Sequence, residues 1–154
     1  MWTEAFDLHS HSTNSDGEHP VADVAKMMAE SKVKFWSLTD HDTISGWSSA
    51  KSAAESEGMR FIPGVEITCM PGLEADSKVM EARQRDRASD SWHLLAYFPE
   101  MELTSRQHDS FEAWLAPLGQ GRIPRMKTMV QRLGELGMPV DFDAVVARAG
   151  DSVG

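Results

Sequence analysis

Residues 6–28, "FDLHSHSTNSDGEHPVADVAKMM", decide how this chain is read. The apolar entry "EAFDLH" (4–9) has the pattern of a buried strand. Val21, Val24, Ala25 and Met28 then recur at helical spacing behind Pro20, a favoured first helical residue. The stretch predicts one strand-and-helix unit. The end of the strand and the residues just beyond it carry His9, His11 and Asp16 among hydroxyl side chains. Burying an imidazole without a partner costs about 1–3 kcal/mol, so these histidines need a partner from elsewhere.

The same alternation continues outward. "KFWSLTD" (34–40) reads as a second strand, "SGWSSAKSAAESEG" (45–58) as a helix stopping at Gly58, and "MRFIPGVEIT" (59–68) as a third strand. Two repeats of strand and helix predict an α/β fold with a parallel sheet, open or closed into a barrel. Residues 70–91 are charged, mixed in sign and poor in large apolar side chains, which predicts an insertion departing from the core. Beyond it lie the apolar run "WHLLAYF" (92–98) and helices over 105–117 and 123–136. In the second, Met126, Val130 and Leu133 form the buried stripe and Gly137 the stop. A last helix starts behind Asp141. The tryptophans, Trp36, Trp47 and Trp114 among them, are read as core or packing residues.

With 154 residues, 41% of them hydrophobic, the chain is long enough for one ordinary domain or part of one. Twenty-four acidic residues against 15 basic ones, a net charge of -9, argue against nonspecific duplex DNA binding. Cys69 stands alone, which excludes a disulfide framework and a thiolate zinc cluster. No apolar run approaches the roughly 20 residues that span a bilayer, and the N-terminus lacks the regions of a signal peptide. The expectation is a cytoplasmic protein that does not enter membranes.

Residues two apart on a strand face one side, so His9 and His11 can reach one ion where the strand ends. Three turns of the alternation end in polar residues suited to metals: "DLHSH" with Asp16 beyond it, "TDHD" with His41, and "GVEIT" with Glu66. In a parallel sheet these C-terminal strand ends gather on one rim. Imidazole and carboxylate without thiolate favour zinc, manganese or iron. Several ions in one cleft can hold a bridging hydroxide and clamp phosphoryl oxygens. His93 is the awkward member, since it precedes its apolar run while the others follow theirs; either that strand runs differently or His93 sits on its approach. Asp40 and Asp42 flank His41 and could orient ligand imidazoles, although Asp42 is better read as the cap of the following helix. His19 and His108 are read as surface residues. Arg122 and Arg125 begin a helix and could meet an anionic substrate, or simply face solvent.

"DLHSHSTNSDG", "LTDHDT" and "GVEIT", in this order and spacing, resemble the first three motifs of the PHP (polymerase and histidinol phosphatase) metal-dependent phosphoesterases. With "HLLAYF" and "RMKTMVQRL", they are most similar to the stand-alone branch of nucleoside 3',5'-bisphosphate phosphatases, also called RNase AM. The resemblance implies a distorted (β/α)7 barrel and a cluster of three divalent ions, manganese, iron or zinc. It implies hydrolysis of phosphate esters of nucleotides, other small phosphorylated molecules or short RNA ends by a metal-bound hydroxide, with no covalent protein intermediate. Matched by motif, His9 and His11 would bind one metal, Glu66 would bridge it to a second that His93 helps to hold, and Asp16 and His41 would hold the third. Arg125 corresponds to an arginine used for substrate phosphate, and Arg122 is a further candidate.

The segment between Glu66 and His93 is longer than this branch leads one to expect. The family pattern also continues past "AGDSVG" into an arginine and histidine motif, further strands and a late aspartate and histidine pair. The expectation is therefore an N-terminal portion of a single PHP domain. Its barrel would be completed by a further C-terminal segment or a second chain, and residues 1–154 alone would bind metal weakly and lack full activity. The rival readings are a histidinol-phosphatase-like or other PHP enzyme, an amidohydrolase, and a non-catalytic metal-binding remnant. An amidohydrolase would place a bridging carboxylated lysine on a later strand, and "HLLAYF" has none at its end.

Overall fold

The computed structural model describes residues 5–69, 92–98, 103–119 and 122–149. The expected insertion at 70–91 lies outside them. Among the described residues, five strands and five helices follow one another: β1 (Phe6–Asp7), α1 (Val21–Glu30), β2 (Phe35–Trp36), α2 (Trp47–Ser56), β3 (Arg60–Phe61), β4 (Gly64–Cys69), β5 (Trp92–Tyr97), α3 (Ser105–Gly119), α4 (Arg122–Glu135) and α5 (Phe142–Ala149). The fold is α/β, as the alternation predicts.

β1, β2 and β3 form a parallel sheet in that order, with Phe6 opposite Phe35 and Phe35 opposite Arg60. The stripe of α1 meets the small residues of α2 beside this sheet. Val24, Ala25, Trp36, Leu38, Ala50 and Ala54 are all buried in one cluster, with Val21 and Met28 half-buried against it. Trp36 can sit there because its indole N–H donates to Ser10 Oγ at 2.9 Å. Pro20 stands just before α1 with an extended ψ of 154°, rather than as its first residue. Gly58 and Gly137, at φ +72° and +79°, take the left-handed conformation that ends α2 and α4.

Two strand expectations are corrected. "MRFIPGVEIT" is two strands, because β3 ends at Phe61 and β4 starts at Gly64, after Pro63, which has no N–H for a ladder. The sheet is also not wholly parallel. β5 pairs antiparallel with β4, setting Gly64 opposite Tyr97, Glu66 opposite Leu95 and Thr68 opposite His93. A parallel bridge between His41 and Glu66 joins the two sheets at the continuation of β2.

A second core of Ile44, Trp47, Val65 and Leu115 locks α3 beneath this junction, with Phe98 and Phe111 against it. α3 begins with a reciprocal cap: Thr104 N–H donates to Gln107 Oε1 at 3.0 Å and Gln107 N–H to Thr104 Oγ1 at 3.4 Å. Asp141 caps α5 by accepting from Ala144 N–H at 2.7 Å, as its sequence position predicts. The outer helices are packed less deeply than their sequences suggest. In α4 Met126 is buried, but Val130 and Leu133 are half-buried. Trp114 is 58% exposed and stacks on Phe111 instead of entering the core. No helix among the described residues is long and apolar enough to cross a membrane.

Candidate metal centre

β1 stops at Asp7, so His9 and His11 lie beyond the strand end, on a loop that folds back on itself. Ser15 and Gly17 both donate their N–H groups to the Ser12 carbonyl, at 3.0 and 2.9 Å, and Thr13 N–H donates to the His19 carbonyl. Beneath the loop sits Asp40, only 2% exposed. Its carboxylate accepts from Ser12 N–H, Ser12 Oγ and Ser15 Oγ, each at 2.7 Å. These are short, charge-assisted bonds. Asp40 thus shapes the loop that presents the histidines, a more distant service than orienting an imidazole.

Gly17 closes the same loop. A Cβ there would lie 2.5 Å from the carbonyl carbon and oxygen of His11 and 2.6 Å from Ser12 N, all of them backbone atoms. Glycine is required for so close an approach. Gly17→Ala is expected to cost about 3 kcal/mol or more, since backbone cannot step aside as a side-chain tip can. Thermal unfolding checks this, and an unchanged midpoint would show that the loop has slack.

The loop folds toward Glu66, which is 5% exposed in the middle of β4. Glu66 Oε2 lies 2.8 Å from His9 Nε2, 3.0 Å from His11 Nε2 and 3.7 Å from His41 Nε2. Its other oxygen, Oε1, lies 2.9 Å from His93 Nδ1. Asp16 stands on the far side, 3.2 Å from His11 Nδ1 and 3.5 Å from His41 Nε2. The four imidazoles run in sequence, with ring centroids 5.1 Å apart for His9 and His11, 4.8 Å for His11 and His41, and 4.6 Å for His41 and His93. Glu66 and His41 form the floor, while His9, His93 and Asp16 form a half-exposed rim open to a ligand.

The structure therefore brings together all six residues read from the sequence as metal ligands. Among the described residues, three overlapping trios have donor atoms within 4.8 Å of one another: His9, His11 and Glu66; His11, Asp16 and His41; and His41, Glu66 and His93. Adjacent donors on one ion, held at about 2.1 Å, stand about 3.0–3.4 Å apart, close to the spacings seen here. The donor set fits hard or borderline divalent ions, and no thiolate takes part. Burial pushes the Glu66 carboxyl up, but the His9 hydrogen bond and the charges of His41, His9 and His11 together outweigh it and hold it below its usual value.

The antiparallel course of β5 explains His93. A strand running back along β4 starts beside the end of β4, so its first residues, not its last, reach the cluster. Asp42 departs from the expected helix cap. α2 has Gly46 at its N-terminal boundary with no side-chain cap, while Asp42, at φ +54°, accepts from Thr68 N–H and Thr68 Oγ1, both at 2.7 Å. It fastens the His41 loop to β4.

Tyr97 was not singled out by its sequence position. It shares the face of β5 that carries His93, and its hydroxyl donates to the Leu8 carbonyl at 2.7 Å, directly before His9. Burial, then the charges of Glu66 and Asp7, push its phenol up and keep that donor protonated. Strand alternation from His93 is the signal that could have found it. His19 is exposed, and His108 is half-buried beside its neighbour Asp109; neither joins a donor trio. Arg125 is exposed in the first turn of α4, and the Arg122 side chain lies outside the described atoms.

The family model for the PHP domain matches residues 7–140. The chain belongs to the PHP domain family. Its PHP segment is 41% identical over 66 residues to a 5'-3' exoribonuclease of Haemophilus influenzae, covering 43% of this chain and 24% of that protein. It is 39% identical over 63 residues to a 3',5'-nucleoside bisphosphate phosphatase of Chromobacterium violaceum, covering 41% and 22%. A solved structure from Bifidobacterium adolescentis, described as a metal-dependent phosphoesterase, superposes with a TM-score of 0.67 at 26% identity, covering 94% of this chain and 43% of the other. This PHP chain thus spans less than half of that solved structure, and its matched stretches span about a quarter of the curated relatives.

Proposed function

We propose that these residues form the metal-binding part of a phosphoesterase that hydrolyses phosphate esters of nucleotides or short RNA ends. The carrying observation is Glu66, a buried carboxylate with four imidazoles around its two oxygens and Asp16 opposite. The activities named for the two curated relatives, one an exoribonuclease and the other a phosphatase of nucleoside 3',5'-bisphosphates, support the substrate class.

In this reading His9 and His11 would hold one divalent ion, Glu66 would serve both it and a second beside His93, and Asp16 and His41 would hold a third, the ions being manganese, iron or zinc. Ions bound there supply Lewis acidity that activates water and offsets charge on phosphoryl oxygens. The chain itself contributes placement. Asp40 and Gly17 hold the loop that carries His9, His11 and Asp16, Asp42 ties His41 to β4, and the hairpin register sets His93 beside Glu66. The half-exposed rim admits a phosphate group, and Arg125, with Arg122, meets its remaining oxygens through guanidinium forks. In this reading the strands would belong to a distorted (β/α)7 barrel. The rest of the barrel and its late ligands come from further sequence or a second chain.

The test is phosphate release from a nucleoside 3',5'-bisphosphate and from a short 5'-phosphorylated RNA, with and without manganese. Metal-dependent release that a chelator abolishes is expected from the completed barrel, with weak turnover from residues 1–154 alone. Metal binding without any release by the completed barrel would favour a metal-binding module with no catalytic role.

A further inference from the structure

Glu112, in the middle of α3, belongs to none of the motifs and to none of the metal trios. It nevertheless reaches the His41 loop, from nearly seventy residues away in sequence. Its Oε1 accepts from Thr43 Oγ1 at 2.9 Å and its Oε2 accepts from Ile44 N–H at 3.2 Å. The carboxylate therefore grips two consecutive residues just past His41. Thr43 is also tied within the loop, accepting from Ser45 N–H at 3.2 Å and sharing a hydroxyl contact with Ser45 Oγ at 3.0 Å. Apolar packing sets the approach, since Leu115 of α3 is fully buried with Ile44 and Trp47, and Phe111 lies against them.

We propose that Glu112 is a positioning residue for His41, through which α3 sets the geometry of the two donor trios that contain that histidine. The inference rests on the metal reading of the cluster. The His41 loop is fastened from two sides: to β4 by the backbone bridge at Glu66, where Asp42 N–H donates to the Glu66 carbonyl at 2.9 Å, and by Asp42 on Thr68, and to α3 by Thr43 with Ile44 on Glu112. His41 sits immediately before both grips, and its Nε2 faces Asp16 and Glu66 at 3.5 and 3.7 Å. Release of the α3 side leaves the loop held from β4 alone, with the chain just past His41 free to shift around Asp42, whose φ is left-handed. His41 then moves while His9, carried by another loop, does not.

Two measurements on the full chain test this. Cobalt titration should show the Glu112→Ala variant binding about 10-fold more weakly at the affected sites, the effect typical of losing a group that orients a ligand. Glu112→Gln should bind nearly as the parent does, because its carbonyl accepts from Ile44 N–H while its amide donates to Thr43 Oγ1. In the metal-free chain, the imidazole NMR signals of His41 should shift or double in Glu112→Ala while those of His9 stay in place. Thr43→Val, which removes one bond only, should give the same pattern more weakly and serves if Glu112→Ala does not fold. A parent chain that binds no cobalt would sink the metal reading and leave the NMR comparison to decide the role of Glu112. Unmoved His41 signals, or a lowered thermal midpoint with unchanged cobalt affinity, would overturn the positioning role.

Discussion

Glu66→Gln is expected to weaken manganese binding by more than about 100-fold, beyond the 10–100-fold typical of losing an outer orienting group. Glutamine keeps the shape but removes the charge and one acceptor oxygen. Two of the three donor trios include Glu66 and should lose their ions, whereas His11, Asp16 and His41 form a trio without it. Calorimetric titration should therefore show fewer bound ions and not merely weaker binding, with loss of any phosphate release. Undiminished stoichiometry would mean that Glu66 is an ion-pair partner of the histidines and nothing more.

The same variant carries a pH signature in the metal-free chain. Despite its burial, the Glu66 carboxyl is held below its usual value by the surrounding histidines. A carboxyl with a lower pKa in the folded than in the unfolded state stabilises the fold above the unfolded value, about 4.3 for glutamate, and that contribution is lost as pH falls through the lower folded value. Wild-type stability should thus fall more steeply on acidification across that window than the stability of Glu66→Gln, read by thermal unfolding with chelator present.

Asp40→Ala should destabilise the chain by about 3 kcal/mol, since it removes three short bonds to a buried carboxylate and leaves the Ser12 N–H with no acceptor. For a chain of this size that is a fall in thermal midpoint of about 6–12 °C. Asp40→Asn keeps an acceptor for Ser12 N–H and should fall roughly half as far. The alanine variant should also lose affinity at the trio containing Asp16, because Ser12 and Ser15, which Asp40 holds, frame the turn that brings Asp16 to His11. A midpoint within about 2 °C of wild type would show that water replaces the carboxylate at no cost.

The candidate centre was legible because its chemistry lies in short, local patterns at strand ends. His9, His11, Asp16, His41 and Glu66 could each be read from a few neighbouring residues, and the structure sets their donor atoms side by side. The architecture around them was less legible. His93 already held the clue to β5, since a ligand at the start of a strand implies a strand running the other way, but an apolar run looks the same in either direction. Pro63 likewise announced the break between β3 and β4. Asp42 matched a cap by position, yet its carboxylate turns to Thr68, a choice made by tertiary packing. Glu112 had no local signal, because its partners Thr43 and Ile44 sit on a distant loop. Trp114 shows the same limit, as its side chain reaches solvent from a helix whose other face is buried.

The pairing of β4 with β5 has a consequence for how such a centre can diversify. His93 is positioned by its register opposite Thr68. Doubling the length of a flexible connection adds only about 0.6 kcal/mol to its closure. Changes of sequence within 70–91 therefore leave unaltered the residues that set this register, Gly64–Cys69 and Trp92–Tyr97. A ligand fixed by a ladder takes its place from the pairing of two strands, so its position is inherited with the sheet.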